Sequence, residues 1–494
     1  MKYILSLLCG ALLPLSLAPF DLWPLGILSV SAWFLLSFRD PRHAPLLAYL
    51  FAFGKYAVGA SWVYVSIHVY GNASVPLAVF LVGLFVAGLA LFGLAFGWAF
   101  RLLARGALLS DALLFAVLVV ALEWLLTWFL TGFPWLYLGY AHLETPLAGF
   151  APVGGILLVG LAAALSATQL AVLLRGSGHQ RLVAVVVLLA LWGSGWLLTR
   201  PAWVTPVSQR SVALVQGNID QGLKWRPENR ASIVRTYTDL SEPYWGVDLM
   251  IWPEAAITLM AHEAGPVLEQ LSARAAAAGT ALVLGLPALE RLPGGEIVFR
   301  NTAVAIGDGS GRYVKRRLVP FGEYVPLEDQ LRGLIEFFDL PMSHAEPGAW
   351  RQPLLQIDGA RAAMAICYEV VYPELVREQA QRADVLLTIS NDTWFGSSIG
   401  PLQHEQMARM RALENGRWML RGTNNGVTSI IDSRGAVRAA LPQFEAGVLR
   451  GEFALMSGTT PFTRYGQLPL LLGMLLCLIG LLALRLRDRR ARSR

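Results

Sequence analysis

The feature that most constrains this chain is the placement of its long apolar stretches. A helix needs about 17–25 mostly apolar residues to cross a bilayer. Stretches of that kind lie near residues 4–20, 23–38, 44–67, 75–100, 112–131, 148–174, 181–199 and 467–485, and none falls between 208 and 455. The sequence therefore predicts a seven-helix transmembrane bundle over 1–200, a domain outside the bilayer over 208–455, and a C-terminal transmembrane helix over 467–485.

The composition fits a chain that lies largely in lipid. Hydrophobic residues make up 55% of it and charged residues 15%, whereas soluble domains contain about 25% charged residues. The net charge of +6 does not indicate a nucleic-acid partner, because arginines crowd into residues 486–494 directly after the last apolar stretch. This segment is typical of a basic cytoplasmic tail beside a membrane helix.

The charges of the short loops predict the orientation in the membrane. Arginines occupy alternate loops, at 39–42, 101–105 and 175–181, while the intervening loops at 19–22, 68–74 and 132–147 contain no lysine or arginine. By the positive-inside rule, both termini are expected in the cytoplasm. The domain at 208–455 then lies on the other side, which in a bacterium is the periplasmic side of the inner membrane.

The domain outside the bilayer has the pattern of an α/β fold. Short apolar runs predict buried strands at 212–215, 249–252, 281–284, 362–366 and 385–389, with helical segments between them, for example at 265–278 and 373–382. Open α/β sheets present their ligands at strand ends. Reactive side chains at those ends are therefore candidates for a functional site.

Three reactive residues stand at or near predicted strand ends, namely Glu254, Lys315 and Cys367. A thiol, a carboxylate that takes its proton and an ammonium that stabilises an oxyanion together make an activated nucleophile. Taken singly, each residue also fits a structural role. Cys367 suits a small core position, Glu254 a helix cap or surface ion pair, and Lys315 one of several solvated charges beside Arg316 and Arg317.

Cysteine and lysine usage adds to the interpretation. Two of the three cysteines lie in apolar stretches, so Cys367 is alone in its domain and no disulfide can form there. Arginine supplies almost all of the basic residues, and Lys315 is one of only four lysines. This scarcity suggests that position 315 requires a compact ammonium group whose pKa the surroundings can shift.

The amino-acid sequences of four segments, and their order along the chain, favour a catalytic role for these three residues over a structural one. They are Trp252-Pro253-Glu254, Lys315 with Pro320-Phe321-Gly322-Glu323, Cys367-Tyr368-Glu369, and Ser390-Asn391-Asp392-Thr393-Trp394-Phe395-Gly396. Together they resemble the nitrilase (carbon–nitrogen hydrolase) superfamily. With the membrane helices, the whole chain resembles the membrane branch of that superfamily, the apolipoprotein N-acyltransferases. One departure is that Ala255-Ala256-Ile257 lacks the proline expected shortly after Trp-Pro-Glu, which leaves the shape of that loop open.

The resemblance implies both a fold and a mechanism. It implies an α-β-β-α sandwich domain attached to about eight transmembrane helices. Cys367 is then the nucleophile that takes an acyl chain as a thioester, and Glu254 is the general base. Lys315 stabilises the tetrahedral oxyanion together with the backbone N–H of Tyr368.

The resemblance also implies supporting and substrate-binding residues. Glu323 is expected as a second carboxylate near the lysine, and Glu369 as a support for the cysteine loop. The expected substrate-binding residues are Trp225, Tyr368, Trp394 and Asn301.

The implied activity is transfer of an acyl chain from a membrane phospholipid to the N-terminal α-amino group of the diacylglyceryl-cysteine of apolipoproteins. We expect a monomer that uses no cofactor. Two alternatives stay open. A membrane-tethered amidase uses the same three residues but does not need a helical bundle, and a transporter or receptor with an inactive outer domain does not need the three residues.

Three further features are relevant to function. The apolar stretch 334–342 is either a mobile lid or membrane-dipping arm over the site, or an ordinary core segment. Lys55 and Glu123 are ionisable at apparent membrane depth, where they either form a helix-packing pair or hold a lipid head group. The seven histidines are scattered, so no metal site is predicted.

Overall fold

The computed structural model describes residues 1–292, 294–324 and 344–492. The chain divides into two compact units. The first contains Met1–Tyr64, Pro76–Ala202 and Arg464–Arg494, and the second contains Val65–Val75 and Trp203–Thr463. The stretch predicted as a lid or core segment, 334–342, lies outside the described residues.

The first unit is helical. Its main helices are Lys2–Leu12, Trp23–Arg39, Ala44–Gly59, Val75–Leu103, Leu108–Leu125, Ala151–Arg175, Gly178–Leu198 and Leu468–Arg492. Across the described residues, 5 helical segments are long and apolar enough to cross a membrane: Val75–Leu103, Leu108–Leu125, Pro146–Arg175, Gly178–Leu198 and Leu468–Asp488. The number rises to 6 if Pro41–Gly59 and Val63–Tyr70, bent by 60° at a break, count as one span.

The eight predicted spans are therefore only partly supported. The first apolar stretch forms the helix Lys2–Leu12 and then a short 3₁₀ turn, Leu13–Ser16. That turn contains Pro14, which has no N–H to continue an α-helix. The second stretch forms a helix of 17 residues, Trp23–Arg39, just below the length of the other spans.

Small residues let the first helices pack backbone against backbone. A Cβ atom placed on Gly10 would lie 1.9 Å from the carbonyl oxygen of Phe51, and one on Gly54 would lie 2.2 Å from that of Leu7. Any larger residue would push these two helices apart. Close packing through small residues is a common way for helices to associate in a membrane.

The second unit contains two β-sheets. Its strands are β1 (Val204–Gln216), β2 (Leu249–Ile251), β3 (Ala281–Arg291), β4 (Ile297–Gly307), β5 (Gly309–Ser310), β6 (Arg312–Val314), β7 (Leu355–Ile357), β8 (Ala360–Ile366), β9 (Val385–Ser390), β10 (Met419–Thr423), β11 (Ser429–Ile431), β12 (Val437–Ala440) and β13 (Gly447–Gly458). One sheet has the order β13-β1-β2-β3-β4-β6 and the other β12-β11-β10-β9-β8-β7-β5. The pairs β1–β2, β2–β3, β8–β9 and β9–β10 are parallel.

The two sheets bury a shared apolar core. Side chains from β1, β2 and β3 of one sheet and from β8, β9 and β10 of the other form one buried cluster. Successive residues of a strand point to opposite faces. In β1, Val212 and Leu214 therefore belong to this shared core, while Ala213 and Val215 face the other way.

Helices cover the outer faces of both sheets. Arg230–Ser241 and Gly265–Ala277 pack on the first sheet, where Tyr237 and Leu271 join Ala213 and Met250 in a second apolar cluster. Pro373–Ala380 and Gly400–Asn415 contact β8 and β10 of the second sheet. The layers are thus helix, sheet, sheet and helix, as the resemblance to nitrilases implies.

Candidate active site

Three strand ends bring the predicted reactive residues together. Glu254 follows β2 by three residues, Lys315 follows β6 directly, and Cys367 follows β8 directly. β2 and β6 belong to one sheet and β8 to the other. The side chains of Glu254 and Lys315 are buried and Cys367 is half-buried.

The carboxylate of Glu254 is held on both oxygens. Its Oε1 accepts hydrogen bonds from Nδ2 of Asn301 at 2.7 Å and from Nζ of Lys315 at 3.3 Å. Its Oε2 accepts one from the backbone N–H of Asn391 at 2.8 Å. Burial alone would raise the pKa of Glu254, but the Lys315 charge and these hydrogen bonds outweigh it and hold the pKa below its usual value. Glu254 is therefore ionised and held in one orientation.

The ammonium of Lys315 lies between two carboxylates. Its Nζ is 3.3 Å from Oε1 of Glu254 and 2.8 Å from Oε1 of Glu323. Burial lowers the pKa of Lys315, but the two glutamates, and Cys367 to a smaller degree, raise it further than burial lowers it. The lysine stays charged, as a group that stabilises an oxyanion must.

The thiol of Cys367 is protonated in the resting site. Burial raises the pKa of Cys367 and the charge of Glu254 raises it further, against a smaller lowering by Lys315. The backbone at Cys367 has a φ of 53°, which is uncommon for a residue other than glycine. A thiol of this kind becomes a nucleophile only when a base takes its proton during the reaction.

Two further glutamates hold the cluster in place. Glu323 accepts hydrogen bonds on Oε1 from Lys315 and Asn301, and on Oε2 from the backbone N–H of Val319 at 2.9 Å. Glu369 is fully buried. It accepts from the backbone N–H groups of Ile366, Arg316 and Arg317 and from the Tyr313 hydroxyl.

The bonds of Glu369 connect the two sheets. Ile366 precedes Cys367 at the end of β8, and Arg316 follows Lys315 after β6. Its Oε2 is 2.8 Å from the N–H of Ile366, and its Oε1 is 2.6 Å from that of Arg316. One carboxylate thus fixes the distance between the segments that carry the thiol and the ammonium.

The four predicted substrate-binding residues have different surroundings. Asn301 donates to both Glu254 and Glu323, at 2.7 and 3.0 Å, so its amide is engaged within the carboxylate cluster. Tyr368 is buried with its ring 5.3 Å from that of Tyr372. Trp225 and Trp394 are half-buried.

Trp394 is held by a segment far away in the sequence. The hydroxyl of Ser66 donates to the carbonyl oxygen of Trp394 at 2.8 Å, and the Tyr70 ring lies 5.8 Å from the Trp394 ring. Both residues belong to Val65–Val75, which is part of the second unit. The sequence alone does not predict this contact, because residues 65–67 end the apolar stretch 44–67, which predicts a membrane helix.

Sequence reasoning also missed two groups that support the site. Lys224 is fully buried and donates from Nζ to the backbone oxygen of Glu254 at 3.1 Å. The scarcity of lysine drew attention to Lys315 but applied equally to Lys224. A second group, Asp392, His404 and Arg421, is buried behind Cys367, and no spacing in the sequence connects these three residues.

Lys55 and Glu123 line one cavity within the helical unit, together with aromatic side chains that include Trp33 and Phe51. Oε1 of Glu123 accepts a hydrogen bond from the backbone N–H of Leu138 at 2.8 Å. The Lys55 ammonium lies 5.3 Å from the centre of the Tyr56 ring. These contacts fit both a helix-packing role and a lipid head-group site, so the two interpretations of Lys55 and Glu123 stay open.

Family models match both parts of the chain. Residues 211–459 match the carbon–nitrogen hydrolase family, and residues 9–169 match the apolipoprotein N-acyltransferase N-terminal domain. The apolipoprotein N-acyltransferase of Pseudomonas paraeruginosa is 50% identical over 99% of this chain and 97% of its own length. The chain belongs to the apolipoprotein N-acyltransferase family.

Other members of that family align over nearly their whole length as well. The apolipoprotein N-acyltransferase of Azotobacter vinelandii is 50% identical over 99% of this chain and 96% of its own. That of Vibrio cholerae is 41% identical over 96% of this chain and 95% of its own. Membership of this family favours an acyltransferase over both a membrane-tethered amidase and a transporter or receptor with an inactive outer domain.

Proposed function

We propose that this chain transfers an acyl chain from a membrane phospholipid, through a thioester on Cys367, to the N-terminal α-amino group of a diacylglyceryl-cysteine on an apolipoprotein. The observation that carries the proposal is the buried arrangement of Glu254 and Lys315 at the strand ends beside Cys367. This arrangement supplies a base, an oxyanion partner and a nucleophile. Family membership indicates which acceptor such a site serves.

In the first half-reaction the thiol attacks the ester carbonyl of the phospholipid. Glu254 takes the thiol proton as the sulfur–carbon bond forms, and Lys315 with the backbone N–H of Tyr368 stabilises the oxyanion. The intermediate then expels the glycerol oxygen, which receives the proton from Glu254. The products are a lysophospholipid and an acyl-thioester on Cys367.

In the second half-reaction the amine takes the place of the thiol. The neutral α-amino group attacks the thioester carbonyl, and Glu254 accepts the proton that the nitrogen loses. Collapse of the intermediate breaks the carbon–sulfur bond, and the sulfur recovers a proton from Glu254. An amide on the lipoprotein and the free thiol result, so one base and one oxyanion site serve both steps.

The helical part attaches the enzyme to the bilayer, so that the lipid substrates can reach the thiol. Removing an acyl chain from hydrocarbon costs about 0.8 kcal/mol per methylene, so an enzyme attached to the bilayer avoids a cost on the order of 10 kcal/mol per chain. We place eight spans in the membrane, because the shorter apolar helices Lys2–Ser16 and Trp23–Arg39 and the bent pair add to the five longer segments.

The proposed topology completes this account. The bundle occupies 1–200, the catalytic domain 208–455, the last span 467–485 and a basic cytoplasmic tail 486–494. The loop arginines place both termini in the cytoplasm and the catalytic domain in the periplasm of a bacterial inner membrane. The enzyme acts as a monomer.

A product assay tests the function. The purified protein is incubated with phospholipid and a synthetic diacylated lipopeptide, and mass spectrometry measures whether the lipopeptide gains one acyl group on its α-amino nitrogen. Cys367→Ala should abolish the gain, whereas Cys477→Ala, at a cysteine far along the chain, should retain it. Release of free fatty acid without acylated lipopeptide would contradict the proposal and favour a hydrolase.

A further inference from the structure

The carbonyl oxygen of Cys367 is held by a histidine that the mechanism above does not use. Nε2 of His404 lies 3.2 Å from that oxygen. His404 is on the helix Gly400–Asn415, and its side chain is 1% exposed. Because a carbonyl oxygen only accepts hydrogen bonds, Nε2 carries the hydrogen and donates it.

We infer that His404 is a positioning residue for the oxyanion site, which acts by fixing the peptide bond between Cys367 and Tyr368. The inference rests on the proposed function, since it concerns the backbone N–H that stabilises the oxyanion there. His404 itself touches neither substrate nor sulfur in this account.

The geometry of a peptide bond connects the two groups. The bond is planar and almost always trans, so its C=O and N–H point in opposite directions. A donor that holds the Cys367 oxygen on the His404 side therefore sets the direction of the Tyr368 N–H. The same hydrogen bond polarises the peptide and makes that N–H a better donor.

The backbone at this point needs such support. Cys367 has a φ of 53°, a left-handed conformation that is unfavourable for a residue with a side chain. The N–H of Ile366, just before it, is held by Glu369 at 2.8 Å. Glu369 thus fixes the chain before the nucleophile, and His404 fixes the peptide bond after it.

A buried ion pair fixes the His404 ring in turn. Nδ1 of His404 lies 3.2 Å from Oδ1 of Asp392 and 3.1 Å from Nη2 of Arg421. Nη2 of Arg421 is 2.5 Å from Oδ2 of Asp392, and both side chains are 0% exposed. The Ser390 hydroxyl donates to Oδ1 of Asp392 at 2.5 Å. Turning the ring would break contacts to a charged pair that has no water to replace them.

Burial and the charge of Arg421 favour a neutral His404 ring that donates from Nε2. Burial raises the pKa of Asp392, but Arg421, His404 and Ser390 together outweigh it and hold the pKa well below its usual range. Burial, and then the charge of Arg421, lowers the pKa of His404. A neutral ring protonated on Nε2 can accept at Nδ1 from Arg421 while it donates to Cys367.

The test compares two reactions of the same thiol. Acylation by p-nitrophenyl butyrate passes through an oxyanion and needs the Tyr368 N–H, but it does not need recognition of a phospholipid. Alkylation by iodoacetamide forms no oxyanion. Both rates are measured at Cys367 by peptide mass spectrometry in the full-length protein, and acylation by phospholipid is followed in parallel.

Three variants make the comparison specific. His404→Leu removes the donor, His404→Gln offers an amide N–H in its place, and Met410→Leu is a control for repacking a buried position on the same helix. We expect His404→Leu to lower acylation by about 10–100-fold, below the effect of deleting an oxyanion donor outright, while alkylation changes by less than about twofold. His404→Gln should regain most of the acylation rate.

The outcomes separate the possible failures. Equal losses of acylation and alkylation in His404→Leu would mean that the histidine only supports the fold, and an unchanged acylation rate would mean that it supports nothing at the site. Either result overturns the inference. If the wild type accepts p-nitrophenyl butyrate but not phospholipid, the proposed function fails, while the comparison of variants still tests the role of His404.

Discussion

Nζ of Lys315 lies 3.3 Å from Oε1 of Glu254, and the two side chains are 1% and 9% exposed. Each charge of such a pair depends on the other, because neither has access to enough water to compensate for a lost partner. In this cluster the pair does more than hold the fold together. It keeps Glu254 ionised and Lys315 charged, as the roles proposed for them as base and oxyanion partner require.

Replacing the lysine should therefore damage both stability and activity. Lys315→Met leaves Glu254 and Glu323 buried without their shared cation, which should cost about 3–5 kcal/mol of unfolding free energy. Acyl transfer should fall by about 100-fold or more, since an oxyanion partner is lost. Thermal unfolding in detergent and the rate of product formation measure the two effects. The control Lys2→Met breaks a solvent-exposed pair with Asp40 and should lower the stability far less; an equal loss of stability would contradict this view of the cluster.

Glu254→Gln should slow acyl transfer and at the same time lower the pKa of Cys367. Acyl transfer should fall by about 10²–10⁴-fold, because the base is gone. The pKa of Cys367 should fall, because the charge of Glu254 is one of the causes that raise it. The pH dependence of iodoacetamide alkylation measures that pKa. An alkylation profile that moves to higher pH in Glu254→Gln would mean that the glutamate does not act on the thiol as described.

Glu369→Gln should loosen the contact between the two sheets at the site. The amide that replaces one oxygen would face backbone N–H donors, and unsatisfied buried groups cost about 1–3 kcal/mol each. We expect a lower unfolding temperature and a slower acylation of Cys367. Glu374→Gln is a suitable control, because its partner Arg377 is on the same helix and Glu374 is 44% exposed. If the Glu369→Gln protein is as stable as that control, Glu369 does not connect the two sheets at the site as described.

Lys224 should make stability depend on alkaline pH. Burial lowers the pKa of Lys224 from 10.5 to about 8, partly opposed by Glu254. Between these two values the unfolded chain binds more protons at this position than the folded chain does, so the penalty present below pH 8 is relieved as the pH rises. The stability of the wild type relative to Lys224→Met should therefore increase between pH 8 and 10, by on the order of 2 kcal/mol. Unfolding temperatures of the two proteins across that range measure the difference, and a constant difference would contradict the burial of a titrating amine.

Much of the fold was predictable where apolar residues cluster along the chain. The predicted strands at 212–215, 249–252 and 362–366 lie within or overlap β1, β2 and β8. The sequence did not reveal how long β1 is, because residues 204–211 are mostly polar or exposed and form a strand only by pairing with β13. The strand β7 was not predicted, because Gln356 interrupts its apolar residues, whereas all three residues of β2 are apolar.

The candidate site was predictable as a set of residues but not as a geometry. Motifs pointed to Glu254, Lys315 and Cys367, whose roles remain proposals. Nothing along the chain links Glu254 to the N–H of Asn391, which is 137 positions away. Contacts of this kind depend on which strands become neighbours, and that is decided by the packing of the whole domain.

The membrane part was the least predictable. Hydropathy marked eight stretches, yet whether a stretch becomes one straight helix depends on local details such as Pro14 and the break after Gly59. The same stretch that ends the bent pair also supplies Ser66, which holds Trp394 in the catalytic unit. An apolar run can therefore belong partly to the unit that contains the β-sheets.

In the proposed mechanism, Cys367 carries the acyl chain between two lipid substrates. The most direct measurement is the mass of the Cys367 peptide after the wild type is incubated with a phospholipid of one defined acyl chain and no acceptor. We expect the Cys367 peptide to gain the mass of that acyl chain. Hydroxylamine should remove the acyl group, and a diacylated lipopeptide should accept it. An acylated lipopeptide that forms with no adduct on Cys367, or with the adduct on another residue, would contradict this mechanism.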